Sequence, residues 1–533
     1  MKAYAATLPN VVVADRNLFT CSQDTQKKIK EYIEEYDLNR VVVASCTPRT
    51  HEPLFRETLR EAGLNKYAFE MANIRDQCSW VHMDRPEAAT EKAKGLVRMA
   101  VAKARLIKPL ADISVPVNHN GLVIGGGVAG IVAALSLAEQ GFKTDLVEKE
   151  NRLGGQAFHL HATYKGEDIK PYVEDLVEKV HHHPLIDVWL HTTIDKASGF
   201  VGGFSSTLVD EQGKKKELEH GAIIMATGGT PYRPKEYLYG QDPNVLLSLE
   251  LDQEIMKDSH RIRNAKSAVF IQCVGSRIPE RPYCSKVCCT HSIHSALTLK
   301  QLNPHMRIYI LYRDIRTFGD REALYMEARA KGVLFIRYNL ENKPAVERDN
   351  GRLKVTVTDH VLQRPLEISP DIICLATAIL PSDNMALSKL YKVSTTEEGF
   401  FLEAHMKLRP VDFATQGLFL AGLCQYPKPI EESIAQAKAA AARAANILMK
   451  DVVEIEPIVS VVDTDMCNGC GICERVCPFD AIHIVELDGT KKAQNITAFC
   501  KGCGLCAASC PSKAVDMCHF SQYQIRAQIC AAV

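Results

Sequence analysis

The chain has 533 residues, 46% of them hydrophobic and 24% charged, and its 64 basic and 64 acidic residues give a formal net charge of zero. This length allows three or four domains with cores of their own, and the balanced charge gives no electrostatic reason to expect nucleic-acid or membrane-surface binding. Nineteen cysteines, and an N-terminus without a basic, apolar leader, favour a reducing, cytoplasmic compartment in which thiolates can bind metals.

The first 115 residues alternate apolar runs with amphipathic segments, which predicts a parallel α/β domain. The predicted strands are residues 11–14, 41–44 and 67–71, and the predicted helices are residues 23–36, with Ser22 as N-cap, 52–62 and 86–107. Cys21, Cys46 and Cys78 each follow one of these strands, whose C-terminal ends should meet at one edge of the sheet. The three thiols are therefore candidate ligands of an iron-sulfur cluster whose fourth ligand is missing or comes from elsewhere. Buried, reduced cysteines are the alternative.

A nucleotide-binding strand, turn and helix is predicted from residue 120. The Gly-x-Gly-x-x-Gly motif at 125–130 follows an apolar strand and opens an apolar helix, and Glu148 lies where an acidic residue holds a ribose hydroxyl. Segments 152–156 and 223–229 resemble the further signatures of flavoproteins with two dinucleotide domains, which favours FAD over NAD. The predicted FAD contacts are Gly125, Gly127, Gly130, Glu148, Lys149, Gly154, Gly155, Gln156, Ala226, Thr227, Gly228 and Gly422.

Two further features concern this predicted flavin domain. The apolar stretch 121–138 contains four glycines and fits a strand, a tight turn and a buried helix better than a membrane span, so no transmembrane segment is predicted. The last strand of the domain normally ends in Gly-Asp, but here Leu423 follows Gly422. One usual contact to the flavin is therefore absent or replaced.

The expected second dinucleotide site is replaced by cysteines. The strand at 267–272 leads into Cys273, and Cys284, Cys288 and Cys289 follow where a second glycine-rich phosphate turn would lie. Adjacent Cys288 and Cys289 do not fit a C-x2-C zinc knuckle, and the segment has no Cys-x-x-Cys redox pair. The four cysteines predict an iron-sulfur cluster in place of nicotinamide recognition, with a buried or disulfide-forming set as the alternative.

The last eighty residues contain the run C-x2-C-x2-C-x3-C-P twice. In this bacterial ferredoxin pattern, three cysteines of each run bind one [4Fe-4S] cluster and the fourth binds the other. Zinc sites lack such third and fourth cysteines with a following proline, which disfavours zinc and a disulfide framework. The predicted ligand sets are Cys467, Cys470, Cys473 and Cys510 for one cluster, and Cys500, Cys503, Cys506 and Cys477 for the other.

These observations predict an α/β, thioredoxin-reductase-like flavoprotein with two dinucleotide domains, an N-terminal parallel α/β domain and a C-terminal ferredoxin domain with two [4Fe-4S] clusters. The predicted domains are 1–115 (N-terminal α/β domain), 116–260 (first part of the FAD domain), 261–380 (inserted domain with the cysteine site), 381–452 (second part of the FAD domain) and 453–533 (ferredoxin domain).

Four segments resemble the A subunit of heterodisulfide reductase. They are Val-Val-Val-Ala-Ser-Cys-Thr-Pro-Arg-Thr-His-Glu-Pro at 41–53, Asn-Ile-Arg-Asp-Gln-Cys-Ser-Trp-Val-His at 73–82, Cys-Val-Gly-Ser-Arg at 273–277 and Tyr-Cys-Ser-x-x-Cys-Cys at 283–289. The resemblance covers nearly the whole chain. It implies an iron-sulfur flavoprotein at the centre of a larger complex, in which FAD performs electron bifurcation between a two-electron donor, ferredoxin and a disulfide-type acceptor. The implied partners are other subunits of such a complex, a hydrogenase or dehydrogenase module and ferredoxin, in a dimer of hetero-oligomers.

Three departures from the family limit this carry-over. Family members usually begin with a strand bearing Cys-x-Cys, which this chain lacks, so the N-terminal cluster is expected to be incomplete or completed by a partner. Longer members insert a second ferredoxin module, whereas no cysteine lies between residues 155 and 222. His294 replaces a lysine that the family places near the flavin, which makes His294 a candidate flavin-proximal catalytic residue and puts the flavin potential in question.

Three other functions remain open. One is a non-bifurcating relay, as in the related subunits of quinone-interacting membrane complexes, and another is an assembly scaffold with an inert flavin. The third is an NAD(P)H-dependent flavoprotein reductase with a ferredoxin tail, like the small subunit of glutamate synthase, which the lost phosphate turn disfavours. Three or four cubane sites predict roughly twelve to sixteen iron atoms per chain.

Overall fold

A computed structural model describes residues 1–360 and 362–533, with the backbone alone for Arg49 and Thr50, so that these two side chains of the segment 41–53 lie outside the described residues. The chain divides into two compact units, residues 1–115 with 454–533 and residues 116–453. Across the described ranges, no helix is both long and apolar enough to cross a bilayer. The finer domain boundaries predicted from the sequence stay predictions.

The N-terminal part of the first unit is a small α/β arrangement. Its helices are α1 (Lys2–Ala5), α2 (Gln23–Glu35), α3 (Pro48–Glu61) and α4 (Pro86–Ala104), and its strands are β1 (Val41–Ser45), β2 (Phe69–Asn73) and β3 (Ile113–Pro116). β1 and β2 pair in parallel, as predicted. The hydroxyl of Ser22 accepts a hydrogen bond from the Thr25 backbone N–H, which confirms the predicted N-cap of α2.

The strand predicted at residues 11–14 does not form. The segment is an extended loop, and in this region of the described chain only β1 and β2 pair with each other. The loop is fixed instead through Asp15, whose carboxylate accepts hydrogen bonds from Lys2, Lys28 and Tyr32. An apolar, β-branched run was not sufficient, because a strand also needs a hydrogen-bonded neighbour.

The second unit contains two parallel sheets and two antiparallel sheets. Its strands are β4 (Gly121–Ile124), β5 (Thr144–Val147), β6 (Ile186–Trp189), β7 (Thr192–Phe200), β8 (Gly203–Asp210), β9 (Lys215–His220), β10 (Ala222–Met225), β11 (Gly229–Pro231), β12 (Val245–Leu247), β13 (Ser267–Val274), β14 (Arg307–Tyr312), β15 (Leu334–Arg337), β16 (Ala345–Asp349), β17 (Arg352–Asp359), β18 (Arg364–Ile368), β19 (Ile372–Thr377), β20 (Ile379–Pro381), β21 (Leu418–Leu420) and β22 (Val452–Ile455). Its helices are α5 (Val128–Ala138), α6 (Ile169–His182), α7 (Ser248–Met256), α8 (His260–Asn264), α9 (Cys288–Leu302), α10 (Glu322–Ala330), α11 (Met385–Tyr391) and α12 (Ile430–Leu448).

The two parallel sheets repeat one architecture. The first has the strand order β21-β10-β4-β5-β6 and is accompanied by the antiparallel sheet β7-β8-β9. The second has the order β12-β19-β13-β14-β15 and is accompanied by the antiparallel sheet β16-β17-β18. This duplication confirms the predicted two-dinucleotide-domain fold. Ligands of open parallel sheets bind beyond the C-terminal ends of central strands, which here are β4 and β13.

Burial explains why the apolar stretch from residue 121 is a core element. All four residues of β4 and nine of the eleven residues of α5 are buried. Small side chains, including Ala437 and Ala441 of α12, are fully buried in the same core cluster as Ile131 and Leu137 of α5. A helix that is apolar on every side is covered by protein in this way.

The C-terminal part of the first unit has two short, similar halves. Its strands are β23 (Ser460–Val462), β24 (Ile482–Leu487), β25 (Thr490–Asn495) and β26 (Val515–Met517), and its helices are α13 (Ile472–Val476), α14 (Leu505–Ser509) and α15 (Gln522–Ala532). β23 pairs with β26 and β24 with β25, in both cases antiparallel. One short helix in each half, α13 or α14, carries the third cysteine of each run.

A buried charged cluster joins the two chain segments of the first unit. The Lys103 side chain on α4 is 2% exposed, and its Nζ lies 2.7 Å from the Glu70 carboxylate. The same Nζ lies 3.8 Å from the centroid of the Phe520 ring, and His519 Nε2 lies 3.6 Å from the Glu70 carboxylate. The ion pair therefore helps to attach the C-terminal ferredoxin-like segment to the N-terminal sheet.

We expect Lys103→Met to reduce the free energy of unfolding of this unit by about 3–5 kcal/mol, because it leaves Glu70 buried without its cation. The double variant Lys103→Met with Glu70→Gln should recover most of the loss, since neither partner is then charged. Urea unfolding of anaerobically prepared protein, followed by circular dichroism, measures both effects. Equal destabilisation in the single and double variants would contradict the interpretation.

Candidate functional site

The turn after β4 has the geometry of a dinucleotide-binding loop. Gly125 has φ 111°, and a Cβ there would lie 2.3 Å from the Ala226 carbonyl oxygen. A Cβ on Gly130 would lie 1.7 Å from the Gly125 carbonyl oxygen, whereas at Gly127 no atom lies within 4 Å. The turn is therefore closed where strand and helix pack and open in front of the N-terminus of α5, where a pyrophosphate is stabilised. These residues fit FAD.

Glu148 is held in place beside this turn. It is 9% exposed, its Oε2 accepts a 2.5 Å hydrogen bond from the Gly126 backbone N–H, and its Oε1 accepts one of 2.8 Å from the Glu150 backbone N–H. A carboxylate has further lone pairs for a ribose hydroxyl. Lys149, by contrast, is exposed and lies 3.9 Å from the Glu150 carboxylate.

The other predicted FAD contacts converge on the same turn. A backbone bridge joins Gly127 to Gly154, and a Cβ on Gly155 would lie 3.1 Å from the Cα of Gly127. A Cβ on Gly422 would lie 2.8 Å from the Cβ of Ala129. Loops from distant parts of the sequence therefore form one site, whose remaining members are Gln156, Ala226, Thr227 and Gly228.

A largely apolar cavity continues from Gln156. Its apolar wall includes Leu160, Ile379 and Leu423, and polar groups enter it at only a few points. Such a lining suits a planar, largely apolar ring such as the isoalloxazine of FAD. Cys288 lies in the wall of this cavity.

Two histidines on α9 face this cavity and differ in charge. Burial, followed by the neighbouring His291 and His161, lowers the pKa of His294, so its imidazole is neutral at pH 7. The pKa of His291 is raised: burial opposes protonation, but the Asp252 carboxylate, 2.8 Å away, outweighs it. The residue at the predicted flavin-proximal position, His294, is therefore uncharged.

The four cysteines after β13 line one small cavity. A register shift between Ile271 and Val274 forms a bulge, and Cys273 within it has φ 59°. Cys284 lies in the following loop, and α9 begins with Cys288 and Cys289. In the described residues no three or more His, Cys, Asp or Glu side chains are placed to hold a single metal ion. A cubane separates its thiolates further, so the arrangement fits a cluster better than zinc.

The electrostatics of this cavity also fit an anionic cluster. Burial raises the pKa of Cys288 and raises that of Cys289 to about 11, so without metal these thiols stay protonated. Arg277 lines the cavity, and its Nη1 is buried without a hydrogen-bond partner in the described structure. The N-terminus of α9 adds positive potential. Iron would replace the thiol protons, and the sulfur charge would then face this guanidinium.

The ferredoxin-like cysteines follow the predicted grouping for one cluster. Cys477 lies on one small cavity together with Cys500, Cys503 and Cys506. For the other set, Cys467, Cys473 and Cys510 pack in one cluster of apolar side chains. Backbone N–H groups point at the sulfurs, as from Ser460 to Cys500, from Ala481 to Cys477 and from Ala493 to Cys467, at 3.3–3.4 Å. Their role as cluster ligands stays a prediction.

The N-terminal cysteines are only partly arranged as predicted. Cys46 directly follows β1, and Cys78 lies in the turn after β2, both buried. Cys21 does not follow a strand, because residues 11–14 form none, and it is exposed before α2. The Cys78 thiol donates a 2.7 Å hydrogen bond to the Ala89 carbonyl oxygen.

Sequence reasoning missed three charged groups at these cavities. Arg277 belongs to the segment 273–277 but was not identified as a partner of the cluster. Asp252 and Lys428 are separated from the cysteines by many residues and belong to no motif. Only tertiary packing brings them to the cavities.

The comparisons with known proteins agree with these sites. The pyridine nucleotide-disulphide oxidoreductase family matches residues 119–271, and the 4Fe-4S dicluster domain matches residues 458–517. A thioredoxin reductase from Lactococcus lactis is similar over 62% of this chain and 98% of its own, with 18% identity and a TM-score of 0.44. The fold and these two domains define an iron-sulfur flavoprotein oxidoreductase.

Two relatives are similar over almost their whole length. Form 2 of the iron-sulfur A subunit of CoB–CoM heterodisulfide reductase from Methanopyrus kandleri is 40% identical, over 91% of this chain and 88% of its own. The A subunit of the H2:CoB-CoM heterodisulfide, ferredoxin reductase of Methanothermobacter marburgensis is 39% identical, over 100% and 94%. The chain belongs to the family of heterodisulfide reductase A subunits.

We expect Gly127→Asp to abolish FAD binding without destabilising the fold. Gly127 has φ −73° and is the N-cap of α5, a position that aspartate favours, but the carboxylate would occupy the open space and repel the pyrophosphate. The FAD-to-protein ratio and the melting temperature of apoprotein measure the two effects. Gly95→Ala in α4, which also meets no atom within 4 Å, should leave both unchanged. An FAD-replete Gly127→Asp protein would contradict the site.

We expect Cys284→Ala to remove about four iron atoms per chain, because a cubane held by three cysteines is lost on purification. Cys374→Ala is the matched control, since Cys374 is buried in the same sheet but lies outside the cysteine cavity. Iron analysis of anaerobically purified protein distinguishes them. An equal iron content in wild type and Cys284→Ala would exclude the cluster.

Proposed function

We propose that this chain is the FAD and iron-sulfur electron-transfer hub of a heterodisulfide-reductase-like complex. Its reaction would be flavin-based electron bifurcation between a two-electron donor, ferredoxin and a disulfide-type acceptor. The observation that carries the proposal is the position of Cys288, which lines both the flavin cavity and the four-cysteine cavity. One residue therefore separates the two candidate cofactor sites.

The cofactors would supply the redox chemistry: FAD exchanges electron pairs and single electrons, and [4Fe-4S] clusters carry single electrons. The protein would place them and adjust their potentials. Cys288 Sγ lies 3.7 Å from the Thr377 carbonyl oxygen, and Thr377 also lines the flavin cavity. The wall between the sites is thus formed by short, well-packed groups, which supports direct transfer from flavin to cluster.

The end of β13 disfavours the NAD(P)H-dependent alternative. A second dinucleotide site would need an open glycine turn before α9, as β4 has before α5. Instead the bulge at Cys273 and the first residues of α9 fill this place with sulfur. Electron pairs would then reach the flavin from a partner's carrier and not from a bound nicotinamide.

One observation favours a non-bifurcating relay as a second candidate. Bifurcation needs two strongly crossed one-electron potentials of the flavin, to which a permanent positive charge at the family's lysine position would contribute. His294 is neutral there, because burial and two nearby histidines lower its pKa. A potentiometric titration distinguishes the functions: crossed potentials support bifurcation, and well-separated uncrossed potentials support the relay.

The partners follow from the same proposal. The Methanothermobacter relative is named for H2, the CoB-CoM heterodisulfide and ferredoxin. By analogy, a hydrogenase or dehydrogenase module, further subunits of the complex and ferredoxin would bind this chain in the cytoplasm, within a dimer of hetero-oligomers. A partner or a further segment would complete any cluster at Cys46 and Cys78. Anaerobic co-purification identifies the donor and the acceptor subunits.

We expect oxidised ferredoxin to reoxidise the photoreduced flavin of anaerobic wild-type holoprotein, and Cys284→Ala to slow this by about tenfold or more, because the carrier beside the flavin is lost. Stopped-flow absorbance measures the rates. Cys374→Ala should behave as wild type. NADPH should not bleach the flavin in any of the three proteins, and prompt bleaching would support the NAD(P)H-dependent reductase instead.

A further inference from the structure

Lysine and arginine side chains enter the flavin cavity from three places. Arg321 forms an ion pair with Glu431, and Lys286 forms one with Glu432. These two cations are therefore neutralised by the first turn of α12. The third cation, Lys428, makes a different set of contacts.

Lys428 is buried and bonded to uncharged groups. It is 9% exposed, and its Nζ donates hydrogen bonds to the Gly422 carbonyl oxygen at 2.7 Å, to the Tyr426 carbonyl oxygen at 2.8 Å and to Gln425 Oε1 at 2.9 Å. Burial lowers its pKa to about 8, which reflects the cost of a buried cation bonded only to neutral oxygens. The ammonium is thus fixed in orientation and suited to an anion in the cavity.

Two sequence departures leave this charge uncompensated. Leu423 stands where the related flavoproteins have an aspartate, so the carboxylate usual at that place is absent. On the opposite wall, the family's lysine is replaced by the neutral His294. Positive charge is therefore missing on the α9 side and present beside α12, whose N-terminus adds to it.

We infer that Lys428, together with the N-terminus of α12, supplies the positive charge that stabilises negative charge on the flavin ring, in place of the lysine missing at position 294. This inference rests on the proposed function. It makes Lys428 the residue that sets the flavin potential in this chain.

We expect Lys428→Met to lower the two-electron potential of the bound flavin by at least about 30 mV, equivalent to a tenfold weaker stabilisation of the reduced form. Adding His294→Lys to Lys428→Met should restore much of the potential. The control is Arg321→Met combined with Glu431→Gln, which removes an ion pair of no net charge from the same cavity and should change the potential little. Anaerobic spectroelectrochemical titration of holoprotein measures all four proteins.

The competing role for Lys428 is binding an FAD phosphate. In that case Lys428→Met would lose FAD and the flavin that remained would keep the wild-type potential, which would overturn the inference. An unchanged potential at full FAD content would overturn it as well. Because the titration reads the flavin itself, its result does not depend on electron transfer to ferredoxin, which tests the proposed function separately.

Sulfite gives a second measurement that needs no variant. It adds to the oxidised flavin ring through its own electron pair, no electron leaves the adduct, and the negative charge comes to rest on the ring edge that a nearby cation stabilises. We expect wild-type holoprotein to bind sulfite and Lys428→Arg to retain this binding. A wild-type flavin that does not react with sulfite would contradict a cation at the ring.

Discussion

The packing of four sulfurs at the end of β13 is the constraint on which the second unit depends. The bulge at Cys273 and the start of α9 at Cys288 and Cys289 occupy the place where the equivalent strand β4 leaves an open glycine turn. Four buried thiols cannot ionise together without a compensating cation, since burial and their mutual repulsion oppose it. Iron is therefore both the proposed electron carrier and the group that allows the thiolates to exist in this cavity. The same feature that removes nicotinamide recognition would join the flavin to a chain of clusters.

Charge around the flavin cavity is distributed between two helix N-termini. α9 starts at the cysteine cavity, which the guanidinium of Arg277 also lines, and α12 starts beside Lys428. The acidic residues of the first turn of α12 are paired with Arg321 and Lys286, so they do not cancel the lysine. Both cofactor sites would thus have a positive end directed at them, which lowers the free energy of a reduced, anionic cofactor in each.

The sequence predicted those parts of the structure that are local. The glycine turn at 125–130 and the ferredoxin repeats carry their geometry in their spacing, and Ser22 caps α2 as expected. The strand at residues 11–14 failed because strand formation depends on a neighbour that the local sequence does not contain. Asp252 and Lys428 could not be found, because their positions at the cavity arise from the packing of α7 and α12 against distant elements. The grouping of Cys477 with the second run, in contrast, follows from a pattern whose tertiary consequence is already known.

The shared wall at Cys288 also has a consequence for the order of electron transfer. A charge added to a cluster held by Cys288 would lie next to the flavin cavity, in a buried region where the effective dielectric constant is low. It would oppose negative charge on the flavin, and it would favour departure of the first electron along the chain before the second leaves. Lys428 would act against this repulsion from the opposite side of the cavity. The balance between these two charges, rather than an acid, base or nucleophile, would then decide whether the electrons of a pair leave at different potentials.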